Sequence, residues 1–177
     1  MGRTSEESTQ NLRRASQPPT GVTVRYDERM PKESDLDATD LPVSEYAFPG
    51  PLRDQLVAAI LSGEKTSTTS LVAQYELDGE PLPAVGDRAV VVDSAGERVC
   101  IEEITDVRVV RLGDVDLVHA IAEGEGFTTV AEWRTGHEEF WHSPEFRAEM
   151  GDENFTVDDE SQAVLVRFRA EPLTRTV

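Results

Sequence analysis

From Tyr46 onward the chain switches between helical and strand periodicity. Leu52, Leu56, Val57, Ile60 and Leu61 recur at three- and four-residue spacing, which marks one apolar face of a helix. Pro51 suits the first helical position, where its missing N–H costs nothing, and Gly63 suits a left-handed C-terminal cap. These signals predict a helix over residues 51–62. Lys65-Thr66-Ser67-Thr68-Thr69-Ser70 is rich in hydroxyl and β-branched side chains, so it reads as a loop entering a strand over 68–72. Val85-Gly86-Asp87 marks a turn, residues 89–92 a short buried strand, and Ser94-Ala95-Gly96-Glu97 a hairpin leading to a longer strand over 98–111. The alternation of that strand changes phase around Glu102-Glu103, between Val99/Ile101 and Val107/Val109, where a bulge is expected. A second helix is predicted over 115–122. A third, over 129–142, carries Val130, Trp133, His137, Phe140 and Trp141 along one side. Val164, Val166 and Phe168 alternate in a closing strand before Pro172. Strands framing a few helices, with long-range strand pairing, indicate an α+β fold, expected here as a small β-barrel with flanking helices.

Residues 1–44 lack such patterning. Gln17-Pro18-Pro19, Pro31 and scattered Ser, Thr, Asp and Glu interrupt any period, and Val22-Thr23-Val24 is the one β-like fragment. Too little apolar surface is present to offset the entropy of ordering. The expectation is a disordered N-terminal tail over 1–44 and a folded domain over 45–177. A docking segment that folds on a partner would have the same composition.

Charge and cysteine content narrow the function. A net charge of −18 repels phosphate backbones at long range, which argues against nucleic-acid binding driven by counterion release. An uncharged nucleoside escapes that repulsion. Cys100 is the single cysteine, so no intrachain disulfide and no thiolate zinc cluster can form. Between Val99 and Ile101 it reads as a buried, inert thiol. The absence of a long apolar run or a secretory pattern near Met1 points to a cytoplasmic protein with no membrane contact.

Two segments could carry chemistry. Lys65 directly follows a helix end and is trailed by hydroxyls, which can bring an amine and an alcohol into one pocket. Threonine needs a neighbouring base to act as a nucleophile, and lysine serves as one only if its environment lowers its pKa. Alternatively, Lys65 simply complements the helix C-terminus. Ala122-Glu123-Gly124-Glu125-Gly126 sets two carboxylates after the second helix, with glycines that permit unusual backbone angles and close approach. Glu125 could serve there as general acid or orienting acceptor, and a solvated acidic loop would look the same. His137 and His142 lie five apart and do not share a helical face, and adding His119 gives no compact ligand pattern. No metal and no cofactor are expected. Trp133 and Trp141 read as core rather than as a base-stacking platform.

The helix ending at Gly63, the Gly-x-Lys-Thr-x-Thr pattern of residues 63–68, the Gly86-Asp87 turn and the Ala-Glu-Gly-Glu-Gly run occur in order and resemble the ASCH family, whose barrel is related to the PUA RNA-binding domain. The Trp133-Arg134 to Phe140-Trp141 segment and the strand at 164–169 extend the likeness over nearly all of 46–171. Some family members resemble amidohydrolases that deacetylate N4-acetylcytidine with a lysine, a threonine and a glutamate. Matched motif to motif, these fall on Lys65, Thr68 and Glu125. Ser67, Ser70, Tyr75 and Glu123 are the substrate-binding candidates beside them. Other members look like ribonucleases or RNA-binding regulators, so the resemblance implies a nucleoside or single-stranded RNA as partner. The chain departs from the shortest deacetylase-like members at Ser70, where their Thr-x-Arg pattern has arginine, in the insert over 74–85, and in the aromatic third helix.

Overall fold

The computed structural model describes residues 40–173. The tail lies outside the described residues except for its last five. Of these, Leu41 and Ser44 are buried, and β1 (Val43–Ser44) pairs in parallel with β3 (Arg88–Val92). The remaining elements follow as α1 (Pro51–Ser62), β2 (Ser67–Leu71), α2 (Val72–Asp78), β4 (Arg98–Arg111), a 3-10 turn (Leu112–Asp114), α3 (Leu117–Ala122), α4 (Val130–Trp141), α5 (Pro144–Met150) and β5 (Gln162–Pro172).

The α+β class holds, but the closed barrel does not. The strands form one mixed five-stranded sheet in the order β1-β3-β4-β5-β2, with β1 and β2 as its two edges. β1 is only two residues long, too short to bridge to β2. The sheet bends without closing. Between β4 and β5 the register shifts between Ile104 and Asp106, leaving Thr105 as the extra residue. The bulge therefore falls just beyond Glu102-Glu103; ahead of it Cys100, Glu102 and Ile104 are buried, and Val99 and Ile101 only partly so.

Both faces of β5 are covered, which is why Ala163 through Val166 are all buried rather than alternating. Ala163 and Leu165 pack with Trp133, Trp141 and Phe146 of α4 and α5. Val164 and Val166 pack with Tyr75 of α2, and Phe168 with Leu56, Val57 and Ile60 of α1. The two tryptophans are thus core, as expected. The α1 stripe is narrower than expected, since Leu52 and Leu61 are exposed. Arg53 takes the vacated inner position, donating to the carbonyls of Tyr46 and Ala47 and to the Glu45 carboxylate.

Two helices went unpredicted. α2 begins where the Gln74 side chain accepts the Leu71 N–H and ends at left-handed Gly79. α5 begins at Ser143, whose hydroxyl accepts the Phe146 N–H, and ends at left-handed Gly151. Cys100 is fully buried, and that burial pushes its thiol up to about 12. Among the described residues no helix is long and apolar enough to cross a membrane.

Candidate functional site

The chain turns sharply at the end of α1. Gly63 adopts φ 79° and donates its N–H to Ile60 O, and the Lys65 N–H reaches back to Ala59 O. This closure delivers Lys65 to the start of edge strand β2 with its side chain directed inward, 2% exposed. The Thr66 N–H then donates to Ala122 O at 2.8 Å, tying the start of β2 to the end of α3. Gly124, at φ 66°, lies directly against the Glu64–Lys65 peptide. Residues separated by about 60 positions thus meet because a capped helix end and a glycine loop are pressed together.

The Lys65 amine donates to Glu125 Oε1 at 2.8 Å and to the Glu123 carbonyl at 3.2 Å. Its third acceptor, Glu123 Oε2, lies at 3.7 Å, beyond hydrogen-bonding reach. The Tyr46 ring sits 5.9 Å from the amine. Glu123 is 1% exposed and fully engaged. Its Oε1 accepts from Thr69 Oγ1 at 2.6 Å and lies 3.1 Å from His119 Nε2, while its Oε2 lies 3.1 Å from His137 Nε2. Burial by itself would raise the Glu123 carboxyl. The charges of His137 and Lys65, with hydrogen bonds from His119 and His137, outweigh it and hold the group well below the usual carboxylate range.

These groups form the polar end of a cavity of about 290 Å³. Lys65, Thr68, Thr69, Glu123, Glu125 and His137 face Tyr46, Leu52, Leu56, Phe127, Phe140 and Trp141 across it. The Phe48 ring meets Phe140 at 6.3 Å, joining the loop before α1 to α4 along one wall. Below this wall lies Glu102, an acid in the core that accepts the Tyr46 hydroxyl at 2.6 Å. Burial raises its carboxyl, against the hydrogen bond from Tyr46 and the charge of Lys65. Among the described residues no cluster of three or more His, Cys, Asp or Glu side chains is arranged to hold a metal ion.

Lys65, Thr68, Glu123 and Glu125 therefore come together. Ser67, Ser70 and Tyr75 do not reach the cavity. The Ser67 hydroxyl donates to His119 O, and Ser70 and Tyr75 bond each other at 2.9 Å in the packing beneath α2. The side chain that completes β2's contribution is Thr69, one residue from the matched Thr68. Sequence reasoning missed Thr69 and His119 as partners of Glu123. The four-residue spacing of His119 and Glu123 was the available signal, since it sets both on one face as the helix ends. His137 was passed over because it was tested only as a metal ligand.

No curated protein gives a significant match. Among solved structures, an ASCH domain from Lactobacillus crispatus JV V101 is similar at 28% identity and a TM-score of 0.65, covering 74% of this chain and 79% of that one. Protein EF3133 from Enterococcus faecalis V583 shares the fold at 24% identity and a TM-score of 0.59, over 69% of this chain and 70% of its own. The family model of the ASCH domain matches residues 44–171, from the buried end of β1 through nearly all of β5, and the chain accordingly belongs to the ASCH domain family.

Proposed function

We propose that the protein is an amidohydrolase that removes the acyl group from an N4-acylated cytidine or a related nucleoside. The observation that carries this reading is the convergence of an amine, a free hydroxyl and a carboxylate at the polar end of one small cavity whose opposite wall is apolar. At about 290 Å³, the space lies at the small end of ordinary ligand pockets, which suits one nucleoside better than a polymer. The net charge of −18 disfavours an RNA backbone and leaves a neutral nucleoside unaffected.

The contacts favour roles that differ from a simple lysine base. Two of the Lys65 N–H groups are committed to Glu123 O and Glu125 Oε1, so the amine serves as a positive charge with one donor to spare. The Thr68 hydroxyl makes no hydrogen bond among the described residues, yet it lines the cavity. Both can stabilise the oxyanion that forms when the acyl carbonyl is attacked. Glu125 is anchored through Oε1 and 20% exposed, which leaves its other oxygen to take a proton from water. Water adds to the carbonyl carbon as Glu125 receives that proton. The proton then passes to the exocyclic nitrogen, the C–N bond breaks, and carboxylic acid and cytidine leave.

Purified protein incubated with N4-acetylcytidine should release cytidine and acetate in equal amounts. Release no greater than that of a Lys65→Ala control overturns the reading. Degradation of single-stranded RNA that is lost in the same control would replace it with a ribonuclease.

A further inference from the structure

His137 lies at the cavity wall with its side chain 12% exposed, and nothing in the hydrolytic scheme uses it. Its Nδ1 is 3.0 Å from the Trp133 carbonyl and its Nε2 is 3.1 Å from Glu123 Oε2. Both neighbours can only accept, so a hydrogen on each ring nitrogen, the imidazolium form, is what suits both contacts. Aromatic faces surround it. The ring stacks on Trp133 at 4.2 Å and 30°, with Trp141 at 5.2 Å and Phe127 at 6.1 Å, surroundings that favour a cation.

Glu123 Oε1 is already taken by Thr69 and His119. Its Oε2 has two candidate cations, His137 at 3.1 Å and Lys65 at 3.7 Å. His137 holds it, and Lys65 closes on Glu125 instead at 2.8 Å. We infer that His137 is a positioning residue whose imidazolium occupies Glu123 Oε2 and thereby keeps Lys65 on Glu125, with its remaining N–H available to the cavity. When the ring loses a proton, Glu123 loses the nearer of its two counter-charges, and Lys65 shifts onto it and away from Glu125. The consequence for catalysis rests on the hydrolase reading, whereas the exchange of partners does not.

The charged groups facing the ring are Glu123 and Glu125 on the segment after α3, with Lys65 at the start of β2 and His119 of α3 reached through Glu123. On α4 itself, Glu138 is engaged by Arg134 and Glu139 is exposed. Burial favours the neutral ring. The charge and hydrogen bond of Glu123, the charge of Glu125 and the Trp133 carbonyl prevail and hold the ring above its ordinary value.

Three measurements test this. Nitrogen NMR of the wild-type imidazole rings should show two N–H groups on His137 at neutral pH and a titration above the ordinary histidine range. A single N–H there overturns the inference. In a crystal structure of His137→Gln, Lys65 Nζ should move within hydrogen-bonding distance of the Glu123 carboxylate, and an unchanged Lys65–Glu125 pair overturns it. With N4-acetylcytidine, the wild-type kcat should fall at high pH in step with the ring titration. His137→Gln should lower kcat by roughly ten- to a hundredfold, as expected of a small displacement of reacting groups, with KM little changed and the alkaline limb gone. A retained limb counts against His137. If the wild type hydrolyses nothing while the ring titration and the Lys65 shift occur as expected, the hydrolase reading fails and the positioning role stands. Should His137→Gln not fold, the wild-type ring titration decides.

Discussion

A Cβ built on Gly124 would fall 2.6 Å from the backbone nitrogen of Lys65 and equally close to the Glu64 carbonyl. The loop bearing Glu123 and Glu125 is therefore seated against the backbone at the start of β2, and only a residue without a side chain permits it. The partners of the Lys65 amine are set by this contact as much as by charge.

Gly124→Ala tests that seating, and Gly126→Ala is its control. Both glycines have positive φ, 66° and 86°, but a Cβ on Gly126 meets nothing within 4 Å. Gly126→Ala should therefore cost only left-handed backbone strain, about 1–2 kcal/mol. Gly124→Ala adds a backbone clash of the kind that costs about 1–3 kcal/mol more. Denaturant unfolding should rank the two in that order, and only Gly124→Ala should also break the Lys65–Glu125 pair. Equal losses would mean that strain alone matters at both sites.

Thr68 and Thr69 are adjacent yet should respond oppositely to valine. The Thr69 hydroxyl donates to Glu123 Oε1 at 2.6 Å and lies 2.8 Å from His119 Nε2. Its removal strips a buried carboxylate of a donor and should destabilise the fold by about 1–3 kcal/mol. The Thr68 hydroxyl has no such bond to lose, so Thr68→Val should leave the melting temperature nearly unchanged. It should instead lower kcat by roughly 10²-fold, the usual cost of removing one oxyanion donor. A Thr68→Val protein of full activity would remove Thr68 from the chemistry.

These two residues also show where the sequence was readable. Pro51 and Gly63 announced α1 because caps are local, and the order of short motifs brought Lys65, Thr68, Glu123 and Glu125 to one place. Ser67, Ser70 and Tyr75 lie outside the cavity, which the sequence could not show because a strand covered on both faces gives no outward sign of which hydroxyl meets a cavity. α5 was legible in principle, since Ser143-Pro144 and Gly151 are ordinary start and stop signals. α2 was not, because Leu71 before it is no helix-start signal and seven residues are too few to show a period. The barrel was expected from a correctly sensed bulge. Whether a bent sheet closes depends on how its edges meet, and β1 and β2 are set far apart by a strand order that no local pattern encodes.

Gly136 offers a separate handle on the cavity. A Cβ there would stand 2.9 Å from Phe127 Cζ, and both residues line the cavity. Alanine improves helix propensity by up to about 1 kcal/mol, while the ring must swing into the ligand space. Gly136→Ala should thus leave thermal stability level or slightly raised and weaken cytidine binding in calorimetry. Unchanged affinity would show that the ligand does not approach Phe127.

Glu149 of α5 provides a pH signature remote from the cavity. Its Oε2 is buried without a partner, and burial together with the charge of Asp78, the last residue of α2, raises its carboxyl to about 7. An acid raised in the folded state keeps a proton that the unfolded chain releases, so its share of stability is present at low pH. That share is lost as pH climbs from the ordinary glutamate value of about 4.3 through about 7. Glu149→Gln cannot ionise and removes this dependence. The variant should match the wild type near pH 4 and exceed it at pH 8, by on the order of 1 kcal/mol once screening of a half-exposed group is allowed for. Denaturant unfolding of both proteins across that range is the measurement. Parallel curves would mean that Glu149 is ionised in the fold at neutral pH and that its unpartnered oxygen is reached by water.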